Sequence, residues 1–245
     1  MVNSQIDYRH PTPDTRHSTP DTLNSTLNAS SIPLLYEDNH LLVVVKPSGV
    51  PTQADRTGEP DMLTRLKADL KRRHEKPGNV FLGLVHRLDR PVGGVMVFAK
   101  TSKAASRLSA QIRARTFEKV YLAQVHGVPE PREGELVDFL LKDQRSNTVR
   151  VAAATEPGAK QARLAYRVEK AGGEVSLVRI ELHTGRPHQV RVQMAAIGCP
   201  LVGDRKYGDA SSNSPGEAIA LWAYEIRFNH PTRGETVCFT VDPPW

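Results

Sequence analysis

The chain has 245 residues, enough for one large domain or two small ones and for a sizeable core. Apolar residues make up 39% and charged residues 24%, a globular balance that excludes wholesale disorder. Cys199 and Cys238 are too few for a disulfide scaffold or a four-cysteine zinc centre, and too far apart for a two-cysteine, two-histidine finger. With 33 Lys and Arg against 27 Asp and Glu, the formal net charge is +6.

Residues 1–31 are dominated by Pro, Ser, Thr and Asn, with three Asp, two Arg and no period of 2 or 3.6. They lack the apolar stretch of a secretory signal and the basic amphipathic character of an organelle presequence. A disordered polar tail is expected there, with one folded domain over 32–245. No apolar run approaches the roughly 18 residues of a membrane span, so a soluble protein is expected, and the thiol usage points to a cytoplasmic one.

In the folded part, residues 41–45 (Leu-Leu-Val-Val-Val) form a buried-strand candidate closed by Lys46-Pro47-Ser48-Gly49. Asp61 can cap a helix that places Leu63, Leu66 and Leu70 on one face. Residues 81–88 and 95–99 are predicted as strands joined by a turn containing Pro91, Gly93 and Gly94. Thr101 or Ser102 starts a second helix with Ala105, Leu108 and Ile112 inward. Strands are predicted over 120–125, 175–182, 219–228 and 236–241. Pro187 favours a helix over 188–197, ended by Gly198. Strands often follow one another without a helix between them, which predicts an α+β fold with a mixed, mainly antiparallel sheet. No phosphate-binding glycine loop follows any strand, so nucleotide-dependent chemistry has no visible seat.

Charge is concentrated in residues 63–119, which hold fourteen Lys and Arg against four Asp and Glu. Such a field suits a polyanion, and nucleic acid is the commonest one, though a charge run alone reads equally as a solvated helix face.

Three segments carry candidate chemistry. In His86-Arg87-Leu88-Asp89-Arg90-Pro91, Asp89 ends a strand among arginines. A carboxylate so placed suits a nucleophile or electrostatic group better than a general acid; it could also simply end the strand and pair with arginine. In Thr184-Gly185-Arg186-Pro187-His188-Gln189-Val190-Arg191, Arg186 lies near a helix start, where a cation opposes the dipole, so an anionic partner is expected. His188 and Arg191 lie three apart on one helical face and could contact phosphate or pair locally. His183, His188 and Gln189 lack the carboxylate or cysteine spacing of a metal site. In Lys119-Val120-Tyr121-Leu122-Ala123, the tyrosine can stack on a base and offer a phenol, or serve as a core residue with its hydroxyl at the edge.

Together these segments resemble the RluA-type family of pseudouridine synthases. The residues from His86 to Arg90 resemble its catalytic motif, those from Lys119 to Ala123 its tyrosine motif, and those from Thr184 to Arg191 its arginine motif. Lys46-Pro47-Ser48-Gly49 and Gly203-Asp204-Arg205-Lys206-Tyr207-Gly208 match an opening and a later loop. Two positions depart from many members: Val92-Gly93-Gly94 replaces Thr-Ser-Gly, and Gln193 replaces His. The resemblance implies isomerisation of uridine in ribosomal or transfer RNA without a cofactor or metal. Asp89 would be the nucleophile or the initiating base, Tyr121 would stack on uracil and serve as a candidate base for the C5 proton, and Arg186 would pair with Asp89. His86, Arg87, Arg90, Lys46, His188 and Arg191 would contact RNA, and the basic 63–119 stretch would hold its backbone. The target uridine would flip out of a structured loop. The S4-type RNA-binding domain of many members has no counterpart in residues 1–31, so recognition would rest on the catalytic domain. A monomer without a protein partner is expected. The alternative is a non-catalytic RNA-folding helper on the same scaffold.

Overall fold

A computed structural model describes residues 32–55, 57–208 and 218–245. The expected tail, 1–31, lies outside the described residues. Eleven strands form one sheet: β1 (Leu34–Glu37), β2 (Leu41–Lys46), β3 (Gly83–Leu84), β4 (Gly93–Ala99), β5 (Glu118–His126), β6 (Glu133–Asp143), β7 (Thr148–Ala152), β8 (Lys160–Lys170), β9 (Val175–Leu182), β10 (Leu221–Asn229) and β11 (Thr236–Thr240). The main order is β1-β2-β4-β10-β5-β9-β8-β6-β7, with β11 beside β10 and β3 beside β4. Only β4 and β10 run parallel among these pairs. The expected mixed, mainly antiparallel α+β fold is therefore present. Strands β6 to β8 escaped the sequence reading because their charged side chains interrupt the apolar signal. In β6, Glu133 and Glu135 are exposed where Leu140 is buried.

The parallel seam depends on two glycines. A Cβ on Gly94, whose φ is +122°, would sit 2.3 Å from the Ala223 carbonyl oxygen, and one on Gly93 would sit 2.3 Å from the Trp222 ring. Val92 is buried beside them. Of the positions that depart from many members, Gly93 thus accommodates close contact with β10, while Gly94 is common to both patterns.

Among the described residues, three helices cover the sheet: α1 (Met62–Arg73), α2 (Ser102–Ala114) and α3 (Gln189–Ala196). Asp61 caps α1 by accepting from the Thr64 N–H, and Thr101 caps α2 by accepting from the Ala104 N–H. Along β2 the side chains alternate, and this sorts the helices. Leu42 and Val44 join Leu66 and Leu70 of α1 in one core, which also holds Tyr121, Val190 and Met194. Leu41 and Val43 join Ala104 and Leu108 of α2 in another. The basic 63–119 run is consequently split between opposite faces, correcting the expectation that it forms one backbone-binding surface. Among the described residues, no helix is long and apolar enough to cross a membrane.

Candidate active site

Asp89 occupies a turn in which its carbonyl accepts from the Val92 N–H at 3.0 Å. One segment, the end of β2 and the loop after it, grips that turn from behind. Lys46 is fully buried, and its Nζ donates to the carbonyls of Pro47 (3.0 Å), Arg90 (3.0 Å) and Val92 (2.6 Å). Thr52 Oγ1 donates to the Leu88 carbonyl at 2.8 Å, and Gly49 N–H to the Arg90 carbonyl at 2.9 Å. Burial lowers the Lys46 pKa to about 7, opposed by the nearby Asp89 charge. Carbonyl dipoles therefore occupy all three donors of Lys46, so it buttresses the turn where the sequence suggested an RNA contact.

Other expected RNA contacts are also engaged internally. Arg90 donates from Nε to the Gly49 carbonyl at 3.0 Å and pairs with Glu59 at 2.6 Å. His86 packs against Phe117, and its Nε2 accepts from the Val97 N–H at 3.1 Å. Burial, aided by the Lys119 charge, lowers the His86 pKa to about 3, so the ring is neutral. Arg87 is exposed and makes no ion pair among the described residues, which leaves it open to an anion.

The opposite wall is the start of α3. Gln189 is buried, and its Oε1 accepts from Arg186 N–H (3.0 Å) and Thr184 Oγ1 (2.7 Å), while its Nε2 donates to the Arg163 carbonyl. This knot starts the helix at Gln189, with His188 left-handed at φ 51° before it. Arg186 thus remains in the turn, and its Nε donates to the Gln161 carbonyl at 2.8 Å. The arginine beside Asp89 is Arg191, in the first turn of α3, whose Nη1 lies 3.9 Å from Asp89 Oδ2. The expected Arg186–Asp89 pairing is corrected accordingly.

Arg191 is itself fixed by a second carboxylate. Its Nε and Nη2 meet the two oxygens of buried Asp204 at 2.8 and 2.6 Å, and its guanidinium carbon lies 5.0 Å from the Tyr207 ring centroid. These contacts raise its pKa despite burial. Tyr207 Oη accepts from Val149 N–H at 2.9 Å and meets His188 Nδ1 at 2.5 Å. His188 Nε2 lies 4.0 Å from Asp89 Oδ2, and in the tautomer in which Tyr207 donates to Nδ1 the ring proton is on Nε2. Burial depresses the His188 pKa, with Asp89 pulling the other way.

Tyr121 comes from β5, between Ala223 of β10 and Ile180 of β9. Its side chain is nearly buried on the α1 and α3 face. Burial and the Asp89 charge raise its phenol pKa, so Tyr121 is neutral at physiological pH.

The assembled site is a carboxylate one-third exposed, with two cationic or proton-bearing groups about 4 Å away and a neutral phenol nearby. Asp204 and Tyr207 lay in a loop the sequence matched without assigning roles; their link to Arg191 and His188 is visible only in three dimensions.

The RNA pseudouridylate synthase family model matches residues 40–196. The chain is 35% identical over 209 residues to the dual-specificity RNA pseudouridine synthase RluA of Escherichia coli, covering 84% of this chain and 90% of that one. It is 33% identical to the ribosomal large subunit pseudouridine synthase C of Haemophilus influenzae, covering 84% of this chain and 63% of that protein. An uncharacterized RNA pseudouridine synthase of Aquifex aeolicus is 34% identical, with 87% and 70% covered. The fold also matches human RNA pseudouridylate synthase domain-containing proteins 4 and 1. Their TM-scores are 0.73 and 0.71, each at 24% identity; the matches cover 86% and 90% of this chain, and 88% and 86% of theirs. With a family match across most of the described domain and relatives of this identity, the chain belongs to the RNA pseudouridylate synthase family and is an RNA pseudouridine synthase, an isomerase.

Proposed function

We propose that the enzyme converts a specific uridine of ribosomal or transfer RNA to pseudouridine with Asp89 as nucleophile. The observation that carries this reading is the placement of the Asp89 carboxylate: one-third exposed, backed by a pinned turn, and faced by Arg191 and His188 at about 4 Å without a short hydrogen bond to either. Its oxygens remain available to a reacting carbon. One relative is named for the ribosomal large subunit and another for dual RNA specificity, which supports an RNA substrate.

A flipped uridine would lie over Tyr121, with C1′ facing Asp89. Attack of an Asp89 oxygen on C1′ forms the C1′–O bond as the N1–C1′ bond breaks, and the bonding pair leaves with uracil. After the base turns, C5 bonds to C1′ and the C1′–O bond breaks, restoring the carboxylate. C5 then loses its proton and N1 gains one, so atoms balance without an outside group. Arg191 offsets charge at Asp89, while His188 Nε2–H and the neutral Tyr121 hydroxyl are donors near the departing base. The high phenol pKa makes Tyr121 a better stacking platform and donor than a phenolate base.

The test is pseudouridine mapping of total RNA from a strain lacking this gene, complemented with wild type or Asp89→Ala. One uridine should lose its modification and regain it only with wild type. Restoration by Asp89→Ala would overturn the nucleophile assignment.

A further inference from the structure

Beyond the Asp89 cleft, a cavity of about 590 Å³ opens where β5, β9 and β10 come together. It is lined by five cations, Arg115, Lys119, Arg163, Arg179 and Arg227, against the carboxylates of Glu118, Glu181 and Glu225. Most of that charge is matched. Arg179 approaches Glu225 at 3.6 Å, Arg227 lies 3.7 Å from Glu118 and 3.6 Å from Glu225, and Arg163 pairs with Glu135. Glu181 forms no ion pair among the described residues and faces the same space.

Two cations remain unmatched. Arg115 ends α2 in the left-handed region (φ 60°) and is exposed, with no carboxylate partner among the described residues. Lys119 is largely shielded from water, which lowers its pKa, yet no hydrogen bond or ion pair engages Nζ among the described residues. The contrast with Lys46 bears on function: a shielded ammonium without acceptors is costly, and an anionic ligand would offset that cost. The position of Lys119 ties the cavity to the reaction. It lies two residues from Tyr121 on the same strand face, about 6.6 Å along β5. A Cβ on Gly185 would come within 3.4 Å of Lys119 Nζ, so that ammonium lies just beneath the exposed turn leading to α3.

We infer that this cavity is a phosphate subsite, with Lys119 as its inner ligand and Arg115 at its rim, taking an RNA phosphodiester close to the flipped uridine. The inference rests on the reading of the protein as a uridine isomerase acting on RNA. It locates a backbone anchor on residues distinct from the groups around Asp89.

The probe is an oligouridylate of about twenty nucleotides, whose binding reports phosphate contacts without the natural target. Dissociation constants would be measured over a range of salt for wild type, Lys119→Gln, Lys119→Arg and Arg115→Gln, each checked by thermal melting. Lys119→Gln should weaken binding about tenfold and flatten the slope of log affinity against log salt by about 0.7 to 1. Lys119→Arg should restore most of both, and Arg115→Gln should move both in the same direction by less. On the RNA site mapped above, Lys119→Gln should raise the half-saturating concentration while keeping the saturated rate within about threefold.

An unchanged salt slope in a folded Lys119→Gln enzyme overturns the subsite. So does a fall in saturated rate at unchanged affinity, which would make Lys119 part of the chemistry. Stabilisation of wild type by millimolar inorganic phosphate, absent in Lys119→Gln and with oligouridylate binding unaltered, would identify a free-anion site and also overturn it. Loss of the broader reading looks different: wild type itself then makes no pseudouridine, whatever the oligouridylate slopes.

Discussion

On one side of Asp89 the protein grips the backbone; on the other it arranges charge. The turn beneath Asp89 is held by Lys46, Thr52 and Gly49 through contacts of 2.6 to 3.0 Å to the carbonyls around it. The α3 wall is tightly bonded within itself, through Arg191–Asp204 and His188–Tyr207, but stops about 4 Å short of the carboxylate. Asp89 is therefore aimed by its main chain and only biased by its ionic neighbours. A carboxylate held through its own oxygens would have to surrender those bonds before attacking carbon.

The largest effect should come from the carboxylate. Asp89→Asn keeps the shape of the side chain and leaves the turn's grip intact, so the rate should fall by on the order of 10³-fold or more. Melting temperature should stay within about 2 °C of wild type. A variant with a few per cent of wild-type turnover would show that charge at this position is dispensable.

Next come the two arginines of one motif. Arg191→Lys replaces a planar fork held by Asp204 with a point charge, and should cost about a hundredfold in rate. Arg186→Lys, on a segment whose guanidinium meets the Gln161 carbonyl, should stay within about threefold. Single-turnover rates at saturating RNA would compare them, and the reverse ranking would return the anionic partnership to Arg186.

That pair also shows what the sequence could reveal. Asp89 and Tyr121 could be singled out in the sequence because the residues around each match a motif; the strand expected over 81–88 shrinks to Gly83–Leu84, and Asp89 lies in the loop beyond it. The role of Arg191 was not, because it depends on where α3 begins, and Gln189 sets that through a bond to the distant Arg163 carbonyl. Lys46 and His86 looked like RNA contacts because basicity is visible in sequence and burial is not; the Arg90 side chain is exposed, and it is its pairing with Glu59 that the sequence hides. The charge run over 63–119 misled for a related reason: Leu41 and Leu42, adjacent in sequence, face different cores. Alternation along β2 contained that division, but linear charge counting ignores it. The fold class itself was legible because successive strands without intervening helices leave little room for a parallel sheet.

Breaking the backbone grip should separate stability from chemistry. Lys46→Met fills similar space but leaves three carbonyls without their donor, costing about 2 to 4 kcal/mol. The melting temperature should drop by about 5 to 12 °C. Turnover, measured well below the new midpoint, should fall about tenfold as the turn loosens. An unshifted melting curve would mean that water replaces the ammonium and that the grip is weaker than its short distances imply.

The smallest effect concerns His86, in the segment between β3 and the turn. Its pKa is about 3 in the fold, against 6.5 for an ordinary histidine. Between those values the unfolded chain binds the extra proton and the folded chain does not, so this group makes stability rise with pH. Its contribution is present above about pH 6.5 and is lost as pH falls toward 3. His86→Gln retains an acceptor for the Val97 N–H and removes the titration. Wild type and variant should thus differ little more at pH 8 than at pH 7. Below pH 6 the wild type should lose stability faster, by a difference that urea unfolding between pH 7 and 4 would resolve. Parallel curves across that range would mean that the ring opens to water before it protonates. The segment entering the turn would then yield independently of the Lys46 grip behind it.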